Sequence, residues 1–366
     1  MTESHKKKYD NAAMALVTGI RDLFKTREVC GELKETDRLD GKTVFIDGAS
    51  SGLGFAIAVD VAKRGARVIM ACRSGIPEKG EKVKKISGNQ DIHMLHVNLS
   101  DLSSIQHLTS NIQHLTSPPD IYILNAGIVP KKSRKTPQGL EEMFTVNYFA
   151  KFSFIKLLID KRLILDPGSL ILDNLHPTSN IQHPTSNIQH PTSSIEHRAP
   201  GTEHRAFRIV FVTSESHRNP EKYDWEGFGK YKDYGIKQSM ELYGYYKLLL
   251  VTFARELSRR LNPDEKTNTS VFALCPGPVN SNIAREAPKI FQPLLKLIFA
   301  IFFRSPKEAA KPVVYLAASP DLEGKPFDYL FLMSRQEIDE KPANPENGNK
   351  LWNLSEALYN DLLRDF

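Results

Sequence analysis

The chain is expected to fold as an α/β protein, a doubly wound parallel sheet forming a single domain, and two observations predict it. Seven short runs rich in Val, Ile and Phe, at residues 43–46, 67–71, 93–97, 121–124, 209–213, 270–274 and 329–332, are separated by helix-length stretches. Short, nearly continuous apolar runs are what strands covered on both faces look like in sequence. The turn Gly48-Ala-Ser-Ser-Gly52-Leu-Gly54 then follows the first run directly and opens a helix. Right-handed crossovers wind such a chain so that functional groups gather beyond the carboxyl ends of the strands.

Composition sets the outer limits. The 366 residues are 40% hydrophobic and 25% charged, ample for one large core. The formal charge of +6 is modest and comes partly from Lys6-Lys-Lys8, Lys131-Lys132 and Arg134-Lys135, which argues against nucleic acid as a partner. Cys30, Cys72 and Cys275 have no C-x-x-C spacing and point to a reducing compartment. The N-terminus lacks an apolar stretch of signal-peptide type, and nowhere do about 18 uncharged apolar residues run together. A cytoplasmic protein is expected, with peripheral membrane association as the one elaboration.

Residues 1–40 read as an N-terminal extension in which 9–24 keep helical spacing, suited to packing on the main domain or to lipid contact. In the first crossover, Gly48, Ser50, Ser51, Gly52, Leu53 and Gly54 form a tight turn whose amides and helix dipole would face a dinucleotide pyrophosphate. The second run ends Ala71-Cys72-Arg73. An acidic residue there would hold a ribose 2′-hydroxyl, whereas a guanidinium suits a 2′-phosphate, so Arg73 predicts NADP(H) in preference to NAD(H). Ile105, Leu108, Ile112 and Leu115 make one helical stripe across two heptads.

A relative of that heptad recurs from His176 to Glu203 with proline in its first copies. Proline and a lone apolar position exclude a coiled coil, so residues 172–207 are expected to be a low-complexity insert. Its evenly spaced histidines lack the geometry of a metal site, and no metal is expected. Further on, Tyr243 and Lys247 stand four residues apart in a helical pattern, placing a phenol and an ammonium on one face.

The order of the glycine turn, Asn125-Ala126-Gly127, Asn147, Ser214, the Tyr243/Lys247 pair and Pro276-Gly277 resembles the short-chain dehydrogenase/reductase family, and its retinol-dehydrogenase-like branch, over about residues 40–335. That resemblance implies a Rossmann fold and hydride transfer between nicotinamide and a carbonyl or alcohol. It implies that Asn147, Ser214, Tyr243 and Lys247 are catalytic: Ser214 holds the substrate oxygen, Tyr243 transfers the proton, Lys247 serves the phenol and the ribose, and Asn147 holds a relay water and props the lysine. Asn98, Leu99, Asn125, Ala126 and Gly127 would border the adenosine half, and Pro276, Gly277 and Val279 the nicotinamide. Residues 336–366, with a final helix near Leu351, would form a C-terminal tail, and pairing through the helices after Asn147 and Tyr243 would give a homo-oligomer. Residues 290–303 hold eight large aliphatic or phenylalanine side chains from Leu294 to Phe303. They fit a cover over a small lipophilic substrate or a membrane surface and equally a buried helix or subunit contact. The chain departs from the family at Asp47, usually threonine, and at Asn98, Leu124 and Tyr246; these departures motivate the rival reading, a non-catalytic binding protein on the same fold.

Overall fold

The computed structural model describes residues 29–164, 206–263, 269–279 and 304–363. The helix expected at 9–24, the repeats up to residue 205, Ser281 and the apolar stretch 290–303 lie outside the described residues.

Among the described residues, eight strands form one sheet: β1 Thr43–Asp47, β2 Arg67–Cys72, β3 Ile92–His96, β4 Ile121–Leu124, β5 Phe207–Val212, β6 Thr269–Cys275, β7 Phe327–Phe331 and β8 Ser334–Arg335. Their order is β3-β2-β1-β4-β5-β6-β7-β8, parallel except for β8, which pairs antiparallel with β7. The seven parallel strands are those expected, shifted by a residue or two at their ends. β8 has two residues, too few for a periodic signal.

Helices cover both faces. α1 (Gly52–Lys63), α2 (Glu78–Ser87) and α6 (Pro306–Ala318) share one core with alternate strand side chains such as Val44 and Ile46. α3 (Leu102–Gln113), α4 (Ala150–Asp160), α5 (Ile236–Leu261) and α7 (Pro345–Leu363) share the other, into which the intervening Phe45 points. No helix among the described residues is long and apolar enough to cross a membrane.

The expected boundaries shift in three places. Trp352 of α7 packs edge-on against Phe152 at 5.4 Å between ring centres, and Tyr148 and Ser355 share a hydrogen bond of 2.6 Å. Each such aromatic pair contributes about 0.5–1.5 kcal/mol beyond its buried area, so the C-terminal segment is part of the core. Residues 29–40 also pack onto the domain: Cys30 N donates to Met333 O at 2.8 Å, and Leu39 is buried. β5 begins at Phe207, the last residue assigned to the insert.

The sheet reverses its winding between β1 and β4, opening a crevice beyond their carboxyl ends. The glycine turn and the Asn125 loop both leave the sheet there.

Candidate active site and nucleotide crevice

Backbone shape fixes the glycine turn. Gly48 has φ +64° and Gly52 φ +55°, conformations that L side chains rarely adopt. A Cβ on Gly54 would lie 2.4 Å from Gly48 O and 2.6 Å from Asn125 Nδ2, so only glycine lets α1 approach the turn this closely. The N-cap of α1, Ser51, is extended and makes no side-chain cap hydrogen bond. The first amides of α1 therefore lack the usual side-chain acceptor, and their partial positive charge faces the crevice mouth. Ser51 is exposed, Leu53 half-buried, and Ser50 lies beside the Cys72 thiol, which burial pushes up to about 11.

Arg73 follows β2, exposed and without an ion-pair partner among the described residues. Asn98, just past β3, accepts from Ser100 Oγ at 2.8 Å through Oδ1, while its backbone amide donates to Ser104 Oγ at 2.9 Å; Leu99 beside it is half-buried.

The loop after β4 is tied from two directions. Asp47 Oδ1 accepts from Asn125 N at 2.5 Å and from Ala126 N at 2.6 Å. Where the family usually has threonine, a carboxylate thus receives both amides, so the link between turn and loop is kept. Asn125 Nδ2 returns a bond to Asp47 O at 3.1 Å. From the other side, Asn147 is fully buried in a π-helical turn, Thr145–Phe149, that precedes α4. Its Oδ1 accepts from Ile128 N at 2.8 Å and its Nδ2 donates to Ile128 O at 2.9 Å. The side-chain amide is thereby satisfied by the loop backbone, which removes the desolvation penalty it would otherwise carry.

The remaining groups converge across α5. Lys247 is 2% exposed; its Nζ donates to Val212 O at 2.9 Å and lies 5.6 Å from the centre of the Tyr243 ring. A Cβ on Gly127 would sit 3.3 Å from Asn147 Oδ1 and 3.6 Å from Lys247 Nζ, so both side chains close on the same backbone. Ser214, the residue before the short helix Glu215–Arg218, has its hydroxyl in polar contact with the Tyr243 phenol. Burial holds the Tyr243 phenol above the usual tyrosine range, with Ser214 opposing it. Burial drives Lys247 down to about 7, helped by Lys151 and opposed by Asp47 and Cys275.

Of the neighbouring tyrosines, Tyr245 turns away to donate to Asp224 O at 3.2 Å, and Tyr246 packs edge-on against Phe144 at 5.6 Å. Only Tyr243 of the three faces both Ser214 and Lys247. Tyr246, a departure from the family, is core filling.

Pro276 is buried after β6, Gly277 turns the chain at φ +76°, and Val279 bridges to Arg304. A cavity of about 510 Å³ is lined by Pro130, Lys131, Lys132, Arg134, Gly235 and Ile236, the last being the first residue of α5. Ile236 and Met240 are 70% and 49% exposed. Spacings of four, three and four residues put Ile236, Met240, Tyr243 and Lys247 on one face of α5.

Two residues were given no role by the sequence. Lys151 is buried beneath the Asn125 loop, and its signal was an isolated charge in an otherwise apolar stretch four residues after Asn147. His217 bonds to Ser214 O through Nδ1 at 2.8 Å, and burial pushes it down to about 4, so it is neutral and can hold the Ser214 backbone.

A crevice at the winding reversal, an uncapped helix start and a tyrosine–lysine pair beside it define a nucleotide-dependent oxidoreductase. Residues 42–171 match the family model described as short chain dehydrogenase. Retinol dehydrogenase 13 of Mus musculus is 30% identical over 359 residues, covering 95% of this chain and 92% of its own length. Retinol dehydrogenase 14 of Homo sapiens is 29% identical over 340 residues, 87% of each chain. Among solved structures, an uncharacterized protein from Mycobacterium paratuberculosis superposes with a TM-score of 0.60 at 24% identity, over 90% of this chain and 98% of that one, and so shares the fold. The chain belongs to the short-chain dehydrogenase/reductase family, in its retinol-dehydrogenase-like branch, and is an NAD(P)-dependent oxidoreductase of alcohol and carbonyl groups.

Proposed function

We propose that this protein is an NADP(H)-dependent reductase or dehydrogenase exchanging hydride between nicotinamide and the carbonyl or alcohol of a small lipophilic substrate of retinoid, steroid or fatty-aldehyde type. The observation that carries this reading is the meeting of Tyr243, Lys247 and Ser214 beside the Asn125–Gly127 loop. The bound cofactor supplies or accepts the hydride. Ser214 donates a hydrogen bond to the substrate oxygen and fixes it against Tyr243. During reduction the Tyr243 phenol gives its proton to that oxygen, and during oxidation the phenolate takes it back.

Burial holds the Tyr243 phenol above the usual tyrosine range, so it carries its proton for reduction; ionising it for oxidation would need nearby positive charge, which Lys247 and the nicotinamide ring would supply. Asn147 keeps the loop in place through both ends of its amide. Gly48, Ser50, Ser51, Gly52, Leu53 and Gly54 take the pyrophosphate, Asn98, Leu99, Asn125, Ala126 and Gly127 the adenosine side, and Pro276, Gly277 and Val279 the nicotinamide side.

Arg73, exposed and unpaired among the described residues at the end of β2, supports NADP(H) over NAD(H). The exposed Ile236 and Met240, on the face of α5 that carries Tyr243, support a lipophilic substrate, as does the naming of the relatives as retinol dehydrogenases. We read the protein as cytoplasmic, forming a homo-oligomer, and touching membranes at most peripherally. Oxidation of NADPH, followed with retinal, long-chain aldehydes and ketosteroids, tests the reading. Turnover with at least one of them is expected, and cofactor binding without turnover on any would favour the non-catalytic alternative.

A further inference from the structure

A buried ion pair lies beneath the nucleotide loop, apart from the four residues read as catalytic. Lys151, on α4, is 1% exposed, and Asp47, at the end of β1, is 2% exposed. Lys151 Nζ donates to Ala126 O at 2.7 Å and to Val146 O at 2.8 Å, and lies 4.0 Å from Asp47 Oδ2. An ammonium has three protons; two are used on carbonyls, which leaves one toward the carboxylate. The other oxygen of Asp47 receives the amides of Asn125 and Ala126. Ala126 is therefore gripped at both ends, its N–H by Asp47 and its C=O by Lys151. The same ammonium holds the carbonyl next to Asn147 inside the π turn.

We propose that Asp47 and Lys151 are a positioning pair that locks the Asn125–Gly127 loop between the pyrophosphate turn and the Asn147 turn, and that sets the charge felt by Lys247. The inference rests on the reading of Lys247 as the partner of the cofactor ribose and of Tyr243. A burden as costly as a buried ammonium persists only where its partners are well placed, and here all of them belong to the backbone or carboxylate bordering the crevice. Among the described residues, no partner of Lys151 serves the far end of α4.

The charge has a direction. Lys247 is faced by Lys151 from α4, Asp47 from β1, Cys275 from β6, Val212 O from β5 and the Tyr243 ring from its own helix. Losing the Lys151 charge raises the proton affinity of Lys247, and losing the Asp47 charge lowers it. The two single substitutions should therefore move the titration of Lys247 in opposite senses, whereas damage to packing alone would give them no opposed signs.

The test is NADPH binding by fluorescence across a pH series, for parent, Lys151→Met, Asp47→Asn and the double variant, with melting temperatures alongside. In the parent, affinity should fall as pH rises through about 7, where Lys247 loses its proton. Lys151→Met should bind about tenfold more weakly below that limb, because the Ala126 carbonyl is released, and its limb should move up. Asp47→Asn should move the limb down, and the limb of the double variant should fall between those of the singles. Should Lys151→Met fail to fold, Asp47→Asn carries the test: a downward shift supports the pair, and an unmoved limb overturns it. Lower melting temperatures with parental affinity and an unmoved limb would also overturn it. A parent that does not bind NADPH would sink the functional reading and the pair together, whereas a parent that binds, beside variants that bind alike, sinks only the pair.

Discussion

The two sides of the crevice are built on different principles. On the side of the glycine turn, position is dictated by backbone: Gly48 and Gly52 at positive φ, a Gly54 with no room for a methyl group, and an asparagine that returns hydrogen bonds to the turn. On the side of α5, position follows from helical spacing, and the chemistry follows from burial, which pulls Lys247 down to about 7 and holds the Tyr243 phenol high. The first side is sensitive to volume, with Asp47 adding a charged tie to its loop. The second depends on proton affinity as well as on packing. Asp47 and Lys151 join them, since one grips the glycine-turn side of Ala126 and the other the α4 side.

The largest effect that would sharpen this contrast is Lys247→Met. It retains an unbranched apolar stem but removes the charge, so turnover should fall by roughly 10²- to 10⁴-fold and NADPH affinity should fall with it. Steady-state rates and fluorescence titration check both, and a loss of rate at parental affinity would remove the ribose role.

Gly54→Ala probes the other side. The new methyl group meets Gly48 O and Asn125 Nδ2 well inside contact distance, and overpacking of this kind costs about 1–3 kcal/mol. Thermal unfolding should occur several degrees lower with weakened NADPH binding, while the kcat of cofactor-saturated protein changes far less. A kcat loss as large as that of Lys247→Met would erase the distinction between the two sides.

Arg73→Asp should narrow the gap between NADPH and NADH by roughly 10- to 100-fold, the value of charge-assisted hydrogen bonds to a 2′-phosphate. Titration with both cofactors reads it, and an unmoved ratio would exclude Arg73 as the selector. The smallest effect belongs to Tyr245→Phe. It removes the contact with Asp224, worth about 0.5–1.5 kcal/mol of stability, and should leave turnover near that of the parent.

Why some of this was legible in the sequence and some was not has a physical basis. Parallel strands are buried on both faces, so 121–124 and 270–274 read as apolar runs that the folded chain reproduces within a residue or so. The glycine turn and Tyr243/Lys247 depend on local spacing, which a sequence displays directly. β8 pairs by two residues and has no periodicity to detect. The docking of α7 depends on Trp352 meeting Phe152 from 200 residues away in the chain, and local pattern carries nothing of that. Asp47 read only as a departure from the family because its partner amides, and Lys151 behind them, are neighbours only in space. Spacing also sets Tyr243 apart from Tyr245 and Tyr246, which stand two residues and one residue before Lys247, and the folded helix turns these two toward Asp224 and Phe144.

The measurement that tests the account most directly is a paired one on Tyr243→Phe: NADPH titration and the single-turnover rate of cofactor oxidation with a substrate turned over by the parent. The ring, and with it the packing against Lys247, remains while the transferable proton is gone. The account predicts an affinity within about twofold of the parent and a rate lower by about 10³-fold, inside the usual range for a general acid. A rate comparable to that of the parent at saturating NADPH would contradict it, because the proton would then come from a group other than Tyr243.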